Sequence, residues 1–415
     1  MTERPTVLVI GTADTKADEM KFLRTCIEKV GVTAIMMDVG VLRGATFPVE
    51  IDQNKVAEAA GFTIPQVIDS GDENSAMQIM SRGASAIALD LHHKGEIQGM
   101  IALGGSMGTD LALDVALALP LGVPKFVIST IAFSRLIPPE RLSPDLMMIL
   151  WAGGLYGLNS VCKSVLSQAA GAVAGAVQAV EPPQKTKPVI GMSGLGTSCL
   201  NYTATLVPAL TALGYEVAVF HATGMGGRAL ETLADQRQFA AIFDFATSEI
   251  SNQVHGGVCG SGDDRGEAAG RQGIPLIFAP GASDMIDLAT WQSVPERFAK
   301  REYHAHNRLI ASIAQTAEER IATAKAMSAK LGKAKGATAF ILPNKGIQAW
   351  DREGEPLHAP EAMEAFAQAF RDTMPGNVDF REIDAHICDQ AFCDEVLAVL
   401  REWVDQGIVP PGVTD

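Results

Sequence analysis

Along this 415-residue chain the apolar positions gather in short continuous runs separated by amphipathic stretches. In the first half the runs are Val7–Gly11, Thr33–Val39, Met100–Gly104, Lys125–Ser129 and Leu146–Trp151. Runs this short and this uniformly apolar read as strands buried on both faces. The stretches between them predict helices over about 17–30, 73–95, 108–119 and 158–180. At 181–187 the chain reads EPPQKTK, where paired prolines and polar residues end the long helix and mark a domain boundary. The pattern then repeats. Strands are predicted at Val189–Met192, Glu216–His221, Ala241–Phe245, Leu276–Ala279, Thr338–Leu342 and Val378–Glu382. Helices are predicted near 200–213, 226–236, 315–332, 361–372 and 389–405. Strands alternating with helices predict an α/β protein of two Rossmann-like, doubly wound domains with mainly parallel sheets, 1–183 and 184–415. Both halves open with a strand, a glycine turn and a helix (VLVIGTADTKADE and PVIGMSGLGTSCL), through either duplication or convergence on a common opening.

In an open parallel sheet, ligands bind beyond the carboxyl ends of the strands, so the loops that follow strands are where chemistry is sought. The first is Gly11-Thr12-Ala13-Asp14-Thr15-Lys16. It offers a bare backbone, two hydroxyls (Thr12, Thr15), an oxygen ligand for Mg²⁺ (Asp14) and a cation for phosphate (Lys16), or else it is only a capped helix start. The second, Gly104-Gly105-Ser106-Met107-Gly108-Thr109, puts three glycines and two hydroxyls at a strand-to-helix turn, which suits phosphate on a helix N-terminus. Asp38, with Gly40 beside it, ends the second strand either as a ribose ligand or as a cap. In the second half, Gly194, Gly196, Thr197 and Ser198 repeat the glycine–hydroxyl theme. Gly224, Gly226, Gly227 and Gly281 mark further strand ends, and His221, Glu249 and Asp284 are acid–base candidates for a substrate held there. His304 and His306 are either a metal pair or hydrogen-bonding histidines, and His386, Cys388 and Cys393 either a zinc-like group or ordinary core residues. The helix at 315–332, with Glu318, Glu319, Arg320, Lys325 and Lys330, reads as a solvated amphipathic helix.

Composition narrows the classes. Hydrophobic residues make up 47% and charged ones 20%, a globular balance. A net charge of −15 argues against nucleic acid and anionic membrane as partners, though not against a phosphate held by backbone amides. The Ala169–Val180 run is about a dozen residues, short of the ~20 a spanning helix needs. The N-terminus lacks a charged lead into a long apolar stretch, and six scattered cysteines form no CxxC pair, so a cytoplasmic protein with reduced thiols is expected.

The strand-end signatures, in their order, resemble the family to which the nucleotide-binding N-terminal region of the tomato mosaic virus resistance protein belongs, a family spread through bacteria and plants. The resemblance covers essentially the whole chain. It rests on GTADTKADE, MMDVG, LGGSMGTDLA, LPLGVPKFVIST, the GLN at Gly157–Asn159, DFATSE, RGEAAGRQGIP, PGASDM, VPERF and the HN pair ending at Asn307. It implies two Rossmann-like subdomains, ATP bound with Mg²⁺, and a homodimer. Carried onto this chain, the nucleotide would meet Gly11–Lys16 and Gly104–Thr109, with Ser129 and Thr130 nearby. The chain departs from the pattern in four places, one being Arg308 where the family has Pro after the HN pair. After Ser129-Thr130 the family has Ala-Ser-Gly where this chain has Ile131, Ala132 and Phe133. An Asp three residues before GLN is here Gly154, and an Arg-Thr-Thr is here Ala314-Gln315-Thr316.

Three functions then fit, in decreasing order. The first is an ATP/Mg²⁺-dependent enzyme activating a carboxylate or transferring a phosphoryl group to a small metabolite held between the domains. In it Lys16 would neutralise phosphate charge, Asp14 place the metal, and His221 or Glu249 act as base. The second is a non-catalytic, nucleotide-gated binding protein. The third is a dinucleotide oxidoreductase, which the Asp38 position allows but the missing GxGxxG glycines do not favour.

Overall fold

The computed structural model describes residues 4–181, 183 and 186–414. The chain separates into two compact units, Met1–Gln184 and Lys185–Asp415. Of the expected boundary at 181–187, positions 182, 184 and 185 lie outside the described residues.

The first unit runs β1 (Thr6–Gly11), α1 (Ala17–Lys29), β2 (Thr33–Asp38), α2 (Gln53–Ala59), α3 (Ile64–Ile68), α4 (Glu73–His93), β3 (Gly99–Gly104), α5 (Ser106–Ala118), β4 (Lys125–Ser129), β5 (Leu146–Leu150) and α6 (Ser160–Ala179). All five strands are parallel, in the order β2-β1-β3-β4-β5. The uninterrupted apolar character of β1 follows from having helices on both faces. Leu8 and Ile10 pack into a core with α4 and α5, whereas Val7 and Val9 pack into the opposite core with α1 and α6. Successive side chains of a strand point to opposite faces, so both faces must be apolar. The predicted strands and long helices are found here within a few residues. The short helices α2 and α3 were not anticipated, being only 7 and 5 residues and too brief to show a period.

The second unit runs β6 (Val189–Gly194), α7 (Gly196–Ala212), β7 (Glu216–His221), α8 (Met225–Asp235), β8 (Ala241–Asp244), α9 (Ser248–His255), α10 (Ala268–Gln272), β9 (Leu276–Phe278), β10 (Met285–Ala289), β11 (His304–Ala305), β12 (Ile310–Ala314), α11 (Ala317–Leu331), β13 (Thr338–Pro343), α12 (Pro360–Thr373), β14 (Asp379–Ile383) and α13 (Gln390–Asp405). Its main sheet is parallel throughout, in the order β14-β13-β9-β8-β6-β7. Both units are therefore α/β and doubly wound in the Rossmann-like manner, each with its first strand beside its third at the point where the winding reverses.

A second, antiparallel sheet, β10-β12-β11, was not anticipated. Its strands carry buried polar residues that mask the apolar pattern. Asp287 of β10 accepts from Asn252 and from Ser312 of β12, at 2.8 and 2.6 Å. The solvated reading of α11 needs correction at one position. Arg320 is 1% exposed and its guanidinium faces Asp284 at 3.4 Å.

Candidate functional site

The reversal point of the first sheet opens a cleft of about 370 Å³ at the carboxyl ends of β1 and β3. Its polar wall is made by Thr12, Asp14 and Thr15 after β1 and by Gly104–Gly108 after β3; its apolar wall includes Val41, Leu42, Met77 and Met80. Helix capping separates this edge from the rest of the unit. Helices α2, α4 and α6 have their first amides met by the side chains of Asp52, Asp72 and Asn159. At α1 and α5, the two helices that start at the cleft, no side chain caps the N-terminus. The orphan amides of a first turn need an acceptor, and beside a cleft a ligand can supply it.

The glycines of the second loop divide by role. A Cβ on Gly104 would lie 2.6 Å from the Cα of Gly108, so this glycine is required for the strand to meet the helix. A Cβ on Gly105 would meet nothing nearer than Thr130 Oγ1 at 3.9 Å. Packing does not require Gly105; its bareness only widens the cleft. Gly11 packs closely on Leu103 and Met20, at 3.0 Å for an added Cβ.

The two carboxylates beside the first loop, Asp38 and Asp14, each keep a buried oxygen without a partner. Asp38 is fully buried, and its Oδ1 accepts from the amides of Ala13 and Gly40, both at 2.9 Å, while its Oδ2 has no partner. Burial raises its pKa, the two amides pull it back, and the neighbouring charge of Asp14 raises it again. Asp14 Oδ1 is likewise buried without a partner, while Oδ2 receives only the amide of Arg43, at 3.3 Å. The Oδ1 atoms of both carboxylates lie 3.1 Å from where a Cβ on Gly40 would sit, so Gly40 is what lets them approach.

Other expected ligands are turned elsewhere. Asp38 ties the two loops together and does not line the cleft, which removes it as a ribose ligand. Thr109 and Ser129 are fully buried and share a 2.7 Å hydroxyl hydrogen bond behind the loop, and Thr130 donates its amide to Gly104 at 3.3 Å. Thr12 and Thr15 join hydroxyls at 2.7 Å. Lys16 lines the cleft, but its ammonium donates to the Leu155 carbonyl at 2.6 Å and lies 5.1 Å from the Tyr156 ring centroid.

At the corresponding edge of the second unit a cleft of about 310 Å³ is lined by Gly196, Thr197, Ser198, His221, Asn307 and Trp350, among others. Gly196, at φ +57° with open space around a Cβ, belongs to it. The first turn of α7 thus begins four residues earlier than the 200–213 helix predicted from sequence. His221 is exposed and faces this cleft. The remaining glycines belong to the packing. An added Cβ would lie 1.9 Å from Cys199 Sγ at Gly194, 1.8 Å from the His221 carbonyl at Gly226, and 2.0 Å from the Phe245 carbonyl at Gly281. Gly224 holds φ +100° and donates its amide to Glu249.

Glu249 and Asp284, expected as acid–base groups, are interior. Glu249 is fully buried; its Oε1 accepts from the amides of Gly224 and Gly227 at 2.6 and 2.9 Å, and its Oε2 from Arg265 Nε at 2.6 Å. Arg265 also forks onto Asp244 at 2.5 and 2.8 Å and reaches Glu231 at 3.2 Å. Gly227 is required there, because its Cβ would fall 1.6 Å from Glu249 Oε2. Asp284 is fully buried against Gln348 Nε2 at 2.5 Å, and burial pushes its carboxyl up to about 6. Sequence reasoning missed Arg265, although the charged DDRGE run between glycine-rich and alanine-rich segments was its signal. His304 and His306 pack on Trp350, at 5.3 and 4.9 Å between ring centroids. Among the described residues no group of three or more His, Cys, Asp or Glu could hold a metal, and no helix is long and apolar enough to cross a membrane.

The departures from the family pattern have local explanations. Phe133 holds φ +60° and is 79% exposed, so a bulky ring stands at a left-handed position that suits the family's glycine. Gly154, at φ +81°, accepts from Trp151 Nε1 at 2.7 Å, and a Cβ there would strike the Tyr156 ring. Gln315 is buried and donates to the carbonyls of Ser283 and Met285 at 2.9 and 3.1 Å.

Two doubly wound units, the first with a glycine-walled, uncapped cleft at its reversal point, define a two-unit Rossmann-like α/β protein. The chain belongs to the UPF0261 family. Residues 5–182 match the N-terminal domain of "Uncharacterised protein family (UPF0261)" and residues 187–404 its C-terminal domain. A UPF0261 protein of Brucella melitensis is 56% identical over 411 residues, covering 99% of this chain and 98% of its own. One of Clostridium tetani is 38% identical over 390 residues, covering 93% and 96%. The ToMV susceptible protein tm-1(GCR26) of Solanum lycopersicum is 30% identical over 422 residues, which cover 95% of this chain and 55% of the tomato protein. Among solved structures, UDP-GlcNAc 2-epimerase of Methanocaldococcus jannaschii is similar at 8% identity and a TM-score of 0.22, over 66% of this chain and 83% of that one, too slight a likeness to bear on function.

Proposed function

We propose that the first unit binds ATP with Mg²⁺ and that the second holds a small metabolite, the chain being an ATP-dependent enzyme of carboxylate activation or phosphoryl transfer. One observation carries the nucleotide reading: the uncapped N-termini of α1 and α5 meet at a cleft whose second glycine, Gly105, is bare without a packing reason. Amides of the α5 first turn and the Thr12 and Thr15 hydroxyls supply phosphate donors, and the side of Val41, Met77 and Met80 suits an apolar base. The donor set fits Mg²⁺. The unpartnered Asp14 oxygen offers one ligand, and Mg²⁺ bound to a nucleotide takes most of the others from phosphate and water. When bound, the ion supplies neutralisation of phosphate charge. Lys16 joins the phosphates only by leaving the Leu155 carbonyl.

A second reading, a nucleotide-gated binding protein without turnover, is favoured by the burial of Glu249 and Asp284, which leaves His221 as the acid–base candidate at the second cleft. The dinucleotide reading loses its support with Asp38 turned into the loops. Calorimetric titration with ATP, ADP and NAD⁺, with and without Mg²⁺, tests the proposal. Mg²⁺-dependent ATP binding, abolished in Gly105→Val and stripped of its Mg²⁺ dependence in Asp14→Asn, is the expected result. Binding of NAD⁺ alone, or ATP binding indifferent to both substitutions, overturns it.

A further inference from the structure

Between β14 and α13 the second unit carries a cluster of ionisable groups that the nucleotide reading does not use, His386 and Cys388 of the zinc-like group among them. His386 is 2% exposed, and its Nε2 lies 2.8 Å from Oδ1 of Asp351, itself 6% exposed. The other oxygen of Asp351 accepts from the Ile347 amide at 2.7 Å. Gly346, at φ +139°, leaves room for the pair, because a Cβ there would lie 2.4 Å from Asp351 Oδ1 and 2.5 Å from the imidazole. The other face of the ring meets Cys388, whose amide donates to His386 Nδ1 at 3.0 Å. The half-buried thiol is met by the side chains of His386, Asn201, Ser198 and Arg352. Ser198 in turn lines the second-unit cleft and accepts the Ala349 amide at 2.8 Å. The thiol thus lies behind Ser198, which separates it from the cleft.

The ionisable groups around the thiol favour its anion. His386 and Arg352 are the cations; Asp351 is held on the far side of the imidazole, and Asp389 is held by Arg352 at 2.6 Å and by the His386 amide at 2.9 Å. Cys393 and Tyr202 are the remaining titratable neighbours, and the Tyr202 hydroxyl donates to the Ser193 carbonyl. Burial raises the Cys388 pKa, but the hydrogen bonds and charge of His386 outweigh it together with Asn201 and Ser198, and the net shift is downward. Burial lowers His386, and Asp351 with Cys388 more than reverse this, lifting it to about 9. The other five cysteines are all shifted upward, chiefly by burial. The amide contact to Nδ1 belongs to the neutral imidazole. The ion pair requires Nδ1 to release that amide and turn its proton to the sulfur.

We propose that Cys388 is a nucleophile behind the Ser198 wall of the second-unit cleft, with His386 as its base and Asp351 positioning the imidazole, and that it accepts an acyl group from an electrophilic carbonyl compound. The thiol proton passes to His386 Nδ1. The sulfur forms a bond to the carbonyl carbon, and the leaving oxygen departs with its bonding pair and takes the proton from His386, giving a thioester and a neutral ring. The first turn of α7, which carries Ser198 and has no side-chain cap, offers amides to the developing oxyanion. This assignment is independent of what the first unit binds.

p-Nitrophenyl acetate added to the full-length protein at pH 7 tests it, read by p-nitrophenolate release and by peptide mass. A burst stoichiometric with the chain, an acetyl group on the Cys388 peptide, and loss of both in Cys388→Ser are expected. His386→Gln should slow the burst about a hundredfold, the usual lower range for a lost general base. Asp351→Asn should slow it less and move the pH midpoint. Iodoacetamide labelling of the unaltered protein provides a second readout that needs no variant to fold. Cys388 should label first, with a pH midpoint below the 9.0 of an ordinary thiol. Equal labelling of the half-buried Cys26 or Cys199, or a midpoint at or above 9.0, overturns the proposal. So does a burst that survives Cys388→Ser.

Discussion

Each unit carries glycine-rich turns at the carboxyl edge of a parallel sheet, but the polar groups around the turns after β1 and β3 and those around the 224–227 turn after the edge strand β7 are in opposite conditions. Around the first, two neighbouring carboxylates each keep an unpartnered oxygen. Around the second, Glu249, Asp244 and Glu231 are all occupied by Arg265, and the glycines of the 224–227 loop are consumed by close packing. Similar strand-end motifs thus border a cleft with unpartnered acceptors in one place and an internal ion network in the other. Free hydrogen-bonding capacity, rather than the glycines, tells the two apart.

The sharpest way to break this contrast is to remove the ion network. Arg265→Met leaves three buried carboxylates without their cation and should cost about 3–5 kcal/mol in chemical denaturation. An unchanged denaturation midpoint would contradict the interior role given to Glu249.

The glycines themselves should differ next. Gly227→Ala drives a methyl into the Glu249–Arg265 pair and should cost about 3 kcal/mol. Gly105→Ala meets open space and should stay within about 1 kcal/mol of the parent. Thermal unfolding of the two variants, side by side, distinguishes a packing glycine from a cleft glycine.

A smaller effect follows from Asp284. Its folded pKa, about 6, lies above the 3.8 of an ordinary aspartate, so the folded state binds the proton more tightly. Its contribution is fully present below about pH 3.8 and is lost as pH rises through about 6. Asp284→Asn should therefore flatten the fall in stability across that window, by at most about 3 kcal/mol, in denaturant titrations at successive pH values. A window of unchanged slope would return Asp284 to an ordinary exposed carboxylate.

The smallest expected change sharpens the family comparison. Phe133→Gly relieves a left-handed ring and should raise stability by up to about 1 kcal/mol, read as a shift in Tm. A loss of stability would mean that the exposed ring has a packing role.

Much of this architecture was legible in the chain. The strands of both main sheets stand out because a strand covered by helices on both faces must be apolar at every position, as in Val7–Ile10. The antiparallel β10–β12 sheet was not legible, since Asp287 and Ser312 stand inside it and hydrogen-bond each other. The residues of the first cleft were found from glycines, hydroxyls and one acid after strands. Their condition was not: nothing in the sequence says that Asp38 faces the Ala13 and Gly40 amides while Asp14 keeps an oxygen free. Glu249 was misread for the same reason. A carboxylate after a strand looks alike whether it faces solvent or an arginine 16 positions away in the chain.

Amide hydrogen exchange with and without Mg²⁺-ATP is the most direct test of the central claim. Slowed exchange at residues 12–16 and 105–108, with residues 224–227 unchanged, is the predicted result. No added protection in the first unit, or protection centred on the second unit's glycine loops, would contradict it.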